Sequence, residues 1–151
     1  MAVGIICEYN PFHNGHIYHL KKIKEMFKNE EIILILSGNY TQRGIISIIE
    51  KYDKVKIALE YGVNIIALLP FQYATQSGDF FAKGALEILN ELKCDKLVFG
   101  SESNNIEELT MLAKTQINNK IFDKIVRNEL DKEPESYQRD FLMYQVGINL
   151  K

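Results

Sequence analysis

A parallel α/β fold that ends in a helical C-terminal segment is what this sequence predicts, and three observations carry the prediction. Four short runs dominated by apolar residues, with no polar alternation, read as strands covered on both faces. Between them lie longer stretches with apolar residues every three or four positions, the period of an amphipathic helix. Strand, helix, strand in regular alternation requires parallel pairing through right-handed crossovers. After about residue 103 the strands stop and only helical patterns follow, which divides the chain into 1–103 and 104–151.

The first strand is Ala2–Cys7. Ile17, Leu20, Ile23 and Phe27 then mark one face of a helix over residues 14–27, with lysines between them. Glu31–Leu36 is the second strand and opens a loop, Ser37–Ser47, that carries Gly38 and Gly44. Helical spacing returns over residues 50–61 through Tyr52, Val55, Ala58 and Leu59, and Gly62 is placed to cap the end. Lys51, Lys54 and Lys56 on this helix read as a solvated charged face. Val63–Leu69 is the third strand, closed by Pro70.

The next stretch, Phe71–Ser77, reads as a loop that could line a pocket, with Phe71, Tyr73, Phe80 and Phe81 mostly in the core. A helix over 77–92 shows Phe81, Ala85, Ile88, Leu89 and Leu92 on one face, and Lys96–Phe99 is the fourth strand. Beyond it, 104–115 is helical with Asn104 or Asn105 as N-cap. Helical patterns continue over 117–130 and, opened by Pro134, over 135–146.

Bulk properties bound the function. With 151 residues, 46% of them hydrophobic and 25% charged, the chain can bury a full core. A net charge of -2 rules out a globally basic surface, so any contact with nucleic acid must come from a local patch. The two cysteines, Cys7 and Cys94, lack close spacing and read as reduced core thiols. No basic stretch followed by a long apolar region opens the chain, and its apolar runs are too short to cross a bilayer. A cytoplasmic protein with no membrane contact is expected.

The chemistry concentrates where the first strand meets the first helix, in Glu8-Tyr9-Asn10-Pro11-Phe12-His13-Asn14-Gly15-His16. In open parallel sheets, ligands bind at the carboxyl ends of the strands, and a helix N-terminus there favours an anion. His13 and His16, three apart, face one side of the first turn and can donate to phosphate oxygens. Gly15 keeps a side chain out of the way of such a ligand. Pro11 fixes the turn and biases Asn10 towards an extended conformation. Zinc is the alternative use of the pair, but the remaining candidates, His19 and Cys7, lack metal-site spacing. His19, one turn beyond His16, either lines the same pocket or stands on the helix surface. In the loop after the second strand, Arg43 is suited to bidentate contact with a phosphate or carboxylate.

The motif His13-Asn14-Gly15-His16 resembles the HxGH signature of the nucleotidyltransferase superfamily, which implies a Rossmann-like (HUP, nucleotidyltransferase-like) sheet flanked by helices. Glu8–Phe12 departs from the Phe-Asp-Pro of the common small-molecule adenylyltransferases. Together with Ser-Gly-Asn-Tyr-Thr-Gln-Arg-Gly at 37–44, Leu-Leu-Pro at 68–70, Phe-Phe-Ala-Lys-Gly-Ala at 80–85 and Phe-Gly-Ser-Glu at 99–102, it resembles the bacterial tRNA(Met) cytidine acetate ligase family.

That resemblance implies activation of acetate by ATP, with Mg2+, to acetyl-adenylate. Acetyl transfer to the wobble cytidine of elongator tRNA(Met) would follow, giving N4-acetylcytidine. It implies His13 and His16 as catalytic residues. Ile6, Cys7, Glu8, Tyr9, Asn10, Pro11, Phe12, His13, Asn14, Gly15, His16, Ile17, Tyr18, His19 and Leu20 would surround ATP, and Gly100 would lie against its nucleoside. Gln42 and Arg43 would bind substrate. Members of that family run longer, so the helical extension is expected to be truncated. The rival readings are a nucleotidyltransferase for a small phosphorylated substrate and a nucleotide-binding module without turnover.

Overall fold

The structure is a computed structural model, and it describes residues 1–101 and 105–118. It divides into two compact units, Met1–Phe99 and a second that begins at Gly100.

In the first unit, strands β1 (Ala2–Cys7), β2 (Glu31–Ser37), β3 (Ile65–Leu69) and β4 (Lys96–Leu97) form one parallel sheet in the order β3-β2-β1-β4. β1 pairs with β2 along its whole length, from Ala2 opposite Glu31 to Cys7 opposite Leu36. The chain steps outward from β1 through β2 to β3, then returns past β1 to place β4 on its other side. The order therefore reverses between β1 and β4, which is where such sheets open a crevice for ligands.

Alternate side chains of β2 feed two separate cores. Ile32, Leu34 and Leu36 pack with Val3 and Ile5 against Leu20 and Ile23 of α1 (Asn14–Met26) and Ala58 of α2 (Lys51–Glu60). Ile33 and Ile35 pack on the opposite face with Leu69, with Ala74 of α3 (Phe71–Ala74), and with Phe81, Ala85 and Leu89 of α4 (Gly78–Glu91). Burial on both faces is why β2 is apolar at every position between Glu31 and Ser37.

Three expectations are corrected. Phe71–Ala74 is a turn of helix, not loop: Pro70 leads in at φ -56°, and its carbonyl accepts from Tyr73 and Ala74. One turn is too short to show a helical period. Of the four aromatic residues around it, Phe71 and Phe80 are 62% and 55% exposed, so they do not belong to the core. On α2 the buried positions are Lys54 and Ala58, whereas Tyr52 and Leu59 lie outside at 59% and 49% exposure. The buried stripe of α2 is thus rotated to take in a lysine.

Gly62 does end α2, at φ +82°, with its N–H donating to the Leu59 carbonyl. The fourth strand is shorter than its apolar run, and Val98 N–H still donates to the Gly4 carbonyl at 2.9 Å. In the second unit α5 (Ile106–Asn118) is capped by Asn105, whose side chain accepts from the N–H groups of Glu107 and Glu108. The expected helical stretch beyond 118 and the helix over 135–146 lie outside the described residues. Cys7 and Cys94 are free thiols. No helix among the described residues is long and apolar enough to cross a membrane.

Candidate functional site

The corner between β1 and α1 is built from the expected residues, and its geometry is more specific than their spacing indicates. His13 is the N-cap of α1, with extended backbone, and His16 is the third residue of the helix. Each ring accepts a backbone N–H of the first turn. His13 Nδ1 accepts from Gly15 N–H at 3.1 Å, and His16 Nδ1 accepts from His13 N–H at 3.2 Å. This is a capping box made by two imidazoles.

An Nδ1 that accepts a hydrogen bond holds no proton, so each neutral ring carries its proton on Nε2. The two rings stack with centroids 3.9 Å apart. Burial, then the neighbouring His13 and His19, hold His16 at about 4, well under the ordinary histidine value of 6.5. At neutral pH His16 is therefore an uncharged donor with fixed orientation.

Gly15 has a further reason beside the one its spacing indicates. A Cβ there would lie 2.9 Å from His13 Cε1 and 3.0 Å from Nδ1. The glycine makes room for the ring that caps it. Beneath the pair lies an aromatic support. Tyr9 meets His16 at 4.7 Å between centroids and Phe12 at 4.8 Å, and Phe12 stacks on His16 at 5.5 Å. Tyr61, from the end of α2, packs on Phe12 at 5.0 Å.

Tyr9 and Leu20 are 1% and 2% exposed, so their side chains support the corner from the core. Tyr9 takes φ +48°, a left-handed conformation that costs a bulky residue strain and is tolerated where packing over-determines it. Its hydroxyl hydrogen-bonds Cys7, whose thiol burial pushes up to about 12. Cys7 is thus a core thiol and not a nucleophile.

Ile6, Ile17 and His19 are half-buried, while Pro11, Asn14 and Tyr18 are exposed. Burial lowers the pKa of His19, and its buried Nε2 has no hydrogen-bond partner. Gly100 opens the second unit, exposed, with no atom within 4 Å of where a Cβ would stand.

The loop after β2 folds back on itself. Tyr40 and Ile46 form an antiparallel bridge, and Gly44 makes the tip at φ +74°. Three ties fasten the loop to the corner and its surroundings. Glu8 carboxylate accepts from Gln42 N–H. Asn10 Oδ1 accepts from Ile48 N–H at 2.7 Å and from Ser47 Oγ at 3.2 Å. Gln42 Nε2 donates to the Gln76 carbonyl at 2.6 Å. Gln42 is thereby engaged in holding the loop, and Arg43 is exposed beside it.

The residue that spacing missed is Lys54. It is 1% exposed, and its ammonium donates to the carbonyls of Glu8 at 3.0 Å, Ser37 at 2.8 Å and Gly38 at 2.7 Å. All three of its protons are used, so it joins the carboxyl ends of β1 and β2 instead of facing solvent. Burial lowers its pKa, and Glu8 and Glu50 oppose that shift. Its position four residues before buried Ala58 was the available signal, hidden by its charge. Ser37 Oγ, beside this clamp, is buried without a partner.

No group of three or more His, Cys, Asp or Glu side chains among the described residues could hold a metal ion. With both Nδ1 atoms turned to the backbone, the corner can present two Nε2–H donors and a helix N-terminus to an anion, on a braced aromatic base.

The chain as a whole is similar to known proteins. The sequence profile of the HIGH Nucleotidyl Transferase family matches residues 1–145. A tRNA(Met) cytidine acetate ligase of Mesomycoplasma hyopneumoniae is 58% identical over 113 residues, 75% of this chain and 36% of that protein. One from Mycoplasmopsis pulmonis is 54% identical over 120 residues, 80% of this chain and 40% of that protein. Among solved structures, Thermotoga maritima TmcAL bound with alpha-thio ATP superposes with a TM-score of 0.77 at 41% identity, covering 87% of this chain and 33% of that one. The chain thus spans between a third and two fifths of the length of these relatives.

Proposed function

Because this chain belongs to the HIGH nucleotidyl transferase family, we propose that its histidine corner holds the phosphates of ATP while acetate is activated to acetyl-adenylate. The acetyl group then passes to the N4 amine of the wobble cytidine of elongator tRNA(Met). The observation that carries the reading is the reciprocal cap, which leaves two Nε2–H donors side by side at the start of α1. The relatives named for this ligation and the neighbour bound with alpha-thio ATP support the choice of substrates.

In the first step an acetate oxygen attacks the α-phosphorus, a P–O bond forms, and the bond to the departing pyrophosphate breaks. Negative charge grows on the phosphate oxygens, and donors already fixed in place stabilise it without reorganising. No covalent bond to the protein is needed. In the second step the cytidine amine attacks the acetyl carbon. A C–N bond forms, AMP leaves with its oxygen, and the amine loses a proton. Arg43, exposed on the loop tied to Glu8 and Asn10, is suited to meet the acetate carboxylate or a phosphate. With no metal-holding cluster among the described residues, Mg2+ would arrive on the nucleotide's own phosphates.

The test is acetate-dependent release of pyrophosphate from ATP by the whole chain. His16→Ala should lower the rate by about 100-fold or more, the scale of losing one fixed donor to a developing charge. Equal release by the parent and the variant would show that the corner is not the reacting site.

A further inference from the structure

A groove outside the corner runs along α1. Lys21 and Lys24, on successive turns of the helix, and Lys28, just beyond its end, line it together with Ile17, Leu20 and Tyr61. Its volume is about 420 Å³. Sites for ligands of nucleotide size span roughly 300–1,000 Å³.

The floor is apolar. Ile17, Leu20 and the aliphatic stems of the lysines form it, and the Tyr61 ring, 41% exposed and packed on Phe12, joins them. The rim is cationic. Glu25 is the acid in the lining; its carboxylate is bonded by Lys22 at 2.7 Å and also feels Lys21, so with Lys22 counted the rim keeps a net positive charge. In a chain of net charge -2 this concentration of positive charge is local.

An aromatic face beside a row of ammonium groups matches one ligand chemistry in particular. An unpaired nucleotide stacks its base on the ring and sets its phosphates against the cations. A duplex hides its base faces, and an acidic peptide carries none. The groove is also continuous with the corner: Tyr61 packs on Phe12 at 5.0 Å, and Phe12 stacks on His16 at 5.5 Å.

We propose that this groove binds single-stranded RNA, holding loop nucleotides that flank the acceptor cytidine while that base is presented at the His13–His16 corner. The proposal rests on the reading of the corner as the place where an acyl-adenylate meets an RNA amine. Its test separates the two. A labelled seven-nucleotide single-stranded RNA is titrated with the whole chain at several salt concentrations and followed by fluorescence anisotropy, while ATP binding is measured by calorimetry.

Three neutralised phosphates give an expected slope of log affinity against log salt of about -2. Lys21→Gln combined with Lys28→Gln should weaken RNA binding at least tenfold and flatten the slope by about 1.4, with ATP affinity unchanged. Tyr61→Leu should weaken RNA binding with the slope preserved. Three results would overturn the proposal: unchanged RNA affinity in the lysine variant, equal binding of duplex RNA, or equally tight binding to phosphatidylserine–phosphatidylcholine vesicles. If the chain binds ATP and the lysine variant keeps its RNA affinity, only the groove assignment falls. If the chain does not bind ATP, the corner reading itself falls.

Discussion

Replacing Lys54 with methionine keeps the shape of a buried side chain and removes the three bonds at its end. Those bonds, at 2.7–3.0 Å to the carbonyls of Glu8, Ser37 and Gly38, are charge-assisted, each worth roughly 1.5–3 kcal/mol before offsets. Against their sum stands the desolvation of the ammonium, several kcal/mol, which the methionine variant no longer incurs. The difference is a net loss of about 3 kcal/mol. In a unit of Met1–Phe99, each kcal/mol moves the melting midpoint by roughly 4–8 °C, so Lys54→Met should melt about 12–24 °C below the parent. Urea denaturation followed by far-UV circular dichroism gives the free energy, and a thermal scan gives the midpoint. Lys54→Gln, which keeps two donors on a shorter arm, should fall between. A Lys54→Met chain within about 0.5 kcal/mol of the parent would refute the clamp, since that is the range of an ordinary surface substitution.

Three further outcomes follow from the same geometry. His16 is held at about 4 when folded against 6.5 when unfolded, so between these values only the unfolded chain takes up the proton. Stability should therefore be complete above pH 6.5 and fall as pH drops towards 4, by ~2 kcal/mol after allowing for partial exposure. Urea midpoints at pH 7.5 and 4.5 measure this, and His16→Gln should flatten the dependence. Gly15→Ala drives a methyl within 3 Å of the His13 ring and should weaken ATP binding by about tenfold; the lost cap, ~1 kcal/mol, is offset by the better helix propensity of alanine. Calorimetry paired with a thermal melt reads that split, and loss of both together would contradict it. Gly84→Ala sets a Cβ 2.4 Å from Tyr73 Cγ, where α3 crosses α4, and should cost about 1–2 kcal/mol in denaturant titration despite the same propensity gain.

The sheet was legible because each strand is a short apolar run, and β2, fed from both faces, could hardly be read otherwise. The histidine corner was legible because a strand end, a turn and a helix start fall within nine residues of Glu8–His16. What could not be read was direction. Spacing placed His13 and His16 together but said nothing about which nitrogen of each ring faces the backbone, and that choice decides what the pair can donate. Gly15 looked like an opening for a ligand, and spacing could not show that it is also clearance for the His13 ring. On α2, hydropathy assigned Tyr52 to the covered face and Lys54 to solvent, and the structure reverses both. A buried cation that satisfies itself on strand-end carbonyls leaves only its spacing from Ala58 as a trace, because its partners are backbone atoms distant in the chain. The single turn Phe71–Ala74 was invisible for a simpler reason, its length.

The ties around the corner also set the order in which it can form. Lys54 reaches Glu8 across 46 positions, Ile48 reaches Asn10 across 38, and Gln42 reaches Glu8 across 34. Each closes a long loop, and none can form until the first crossover has brought β2 beside β1. On a ribosome, the signature at 13–16 would emerge and cap its own helix early. The brace beneath it has to wait for residue 54, so the growing chain carries its recognisable motif well before it carries a finished binding corner.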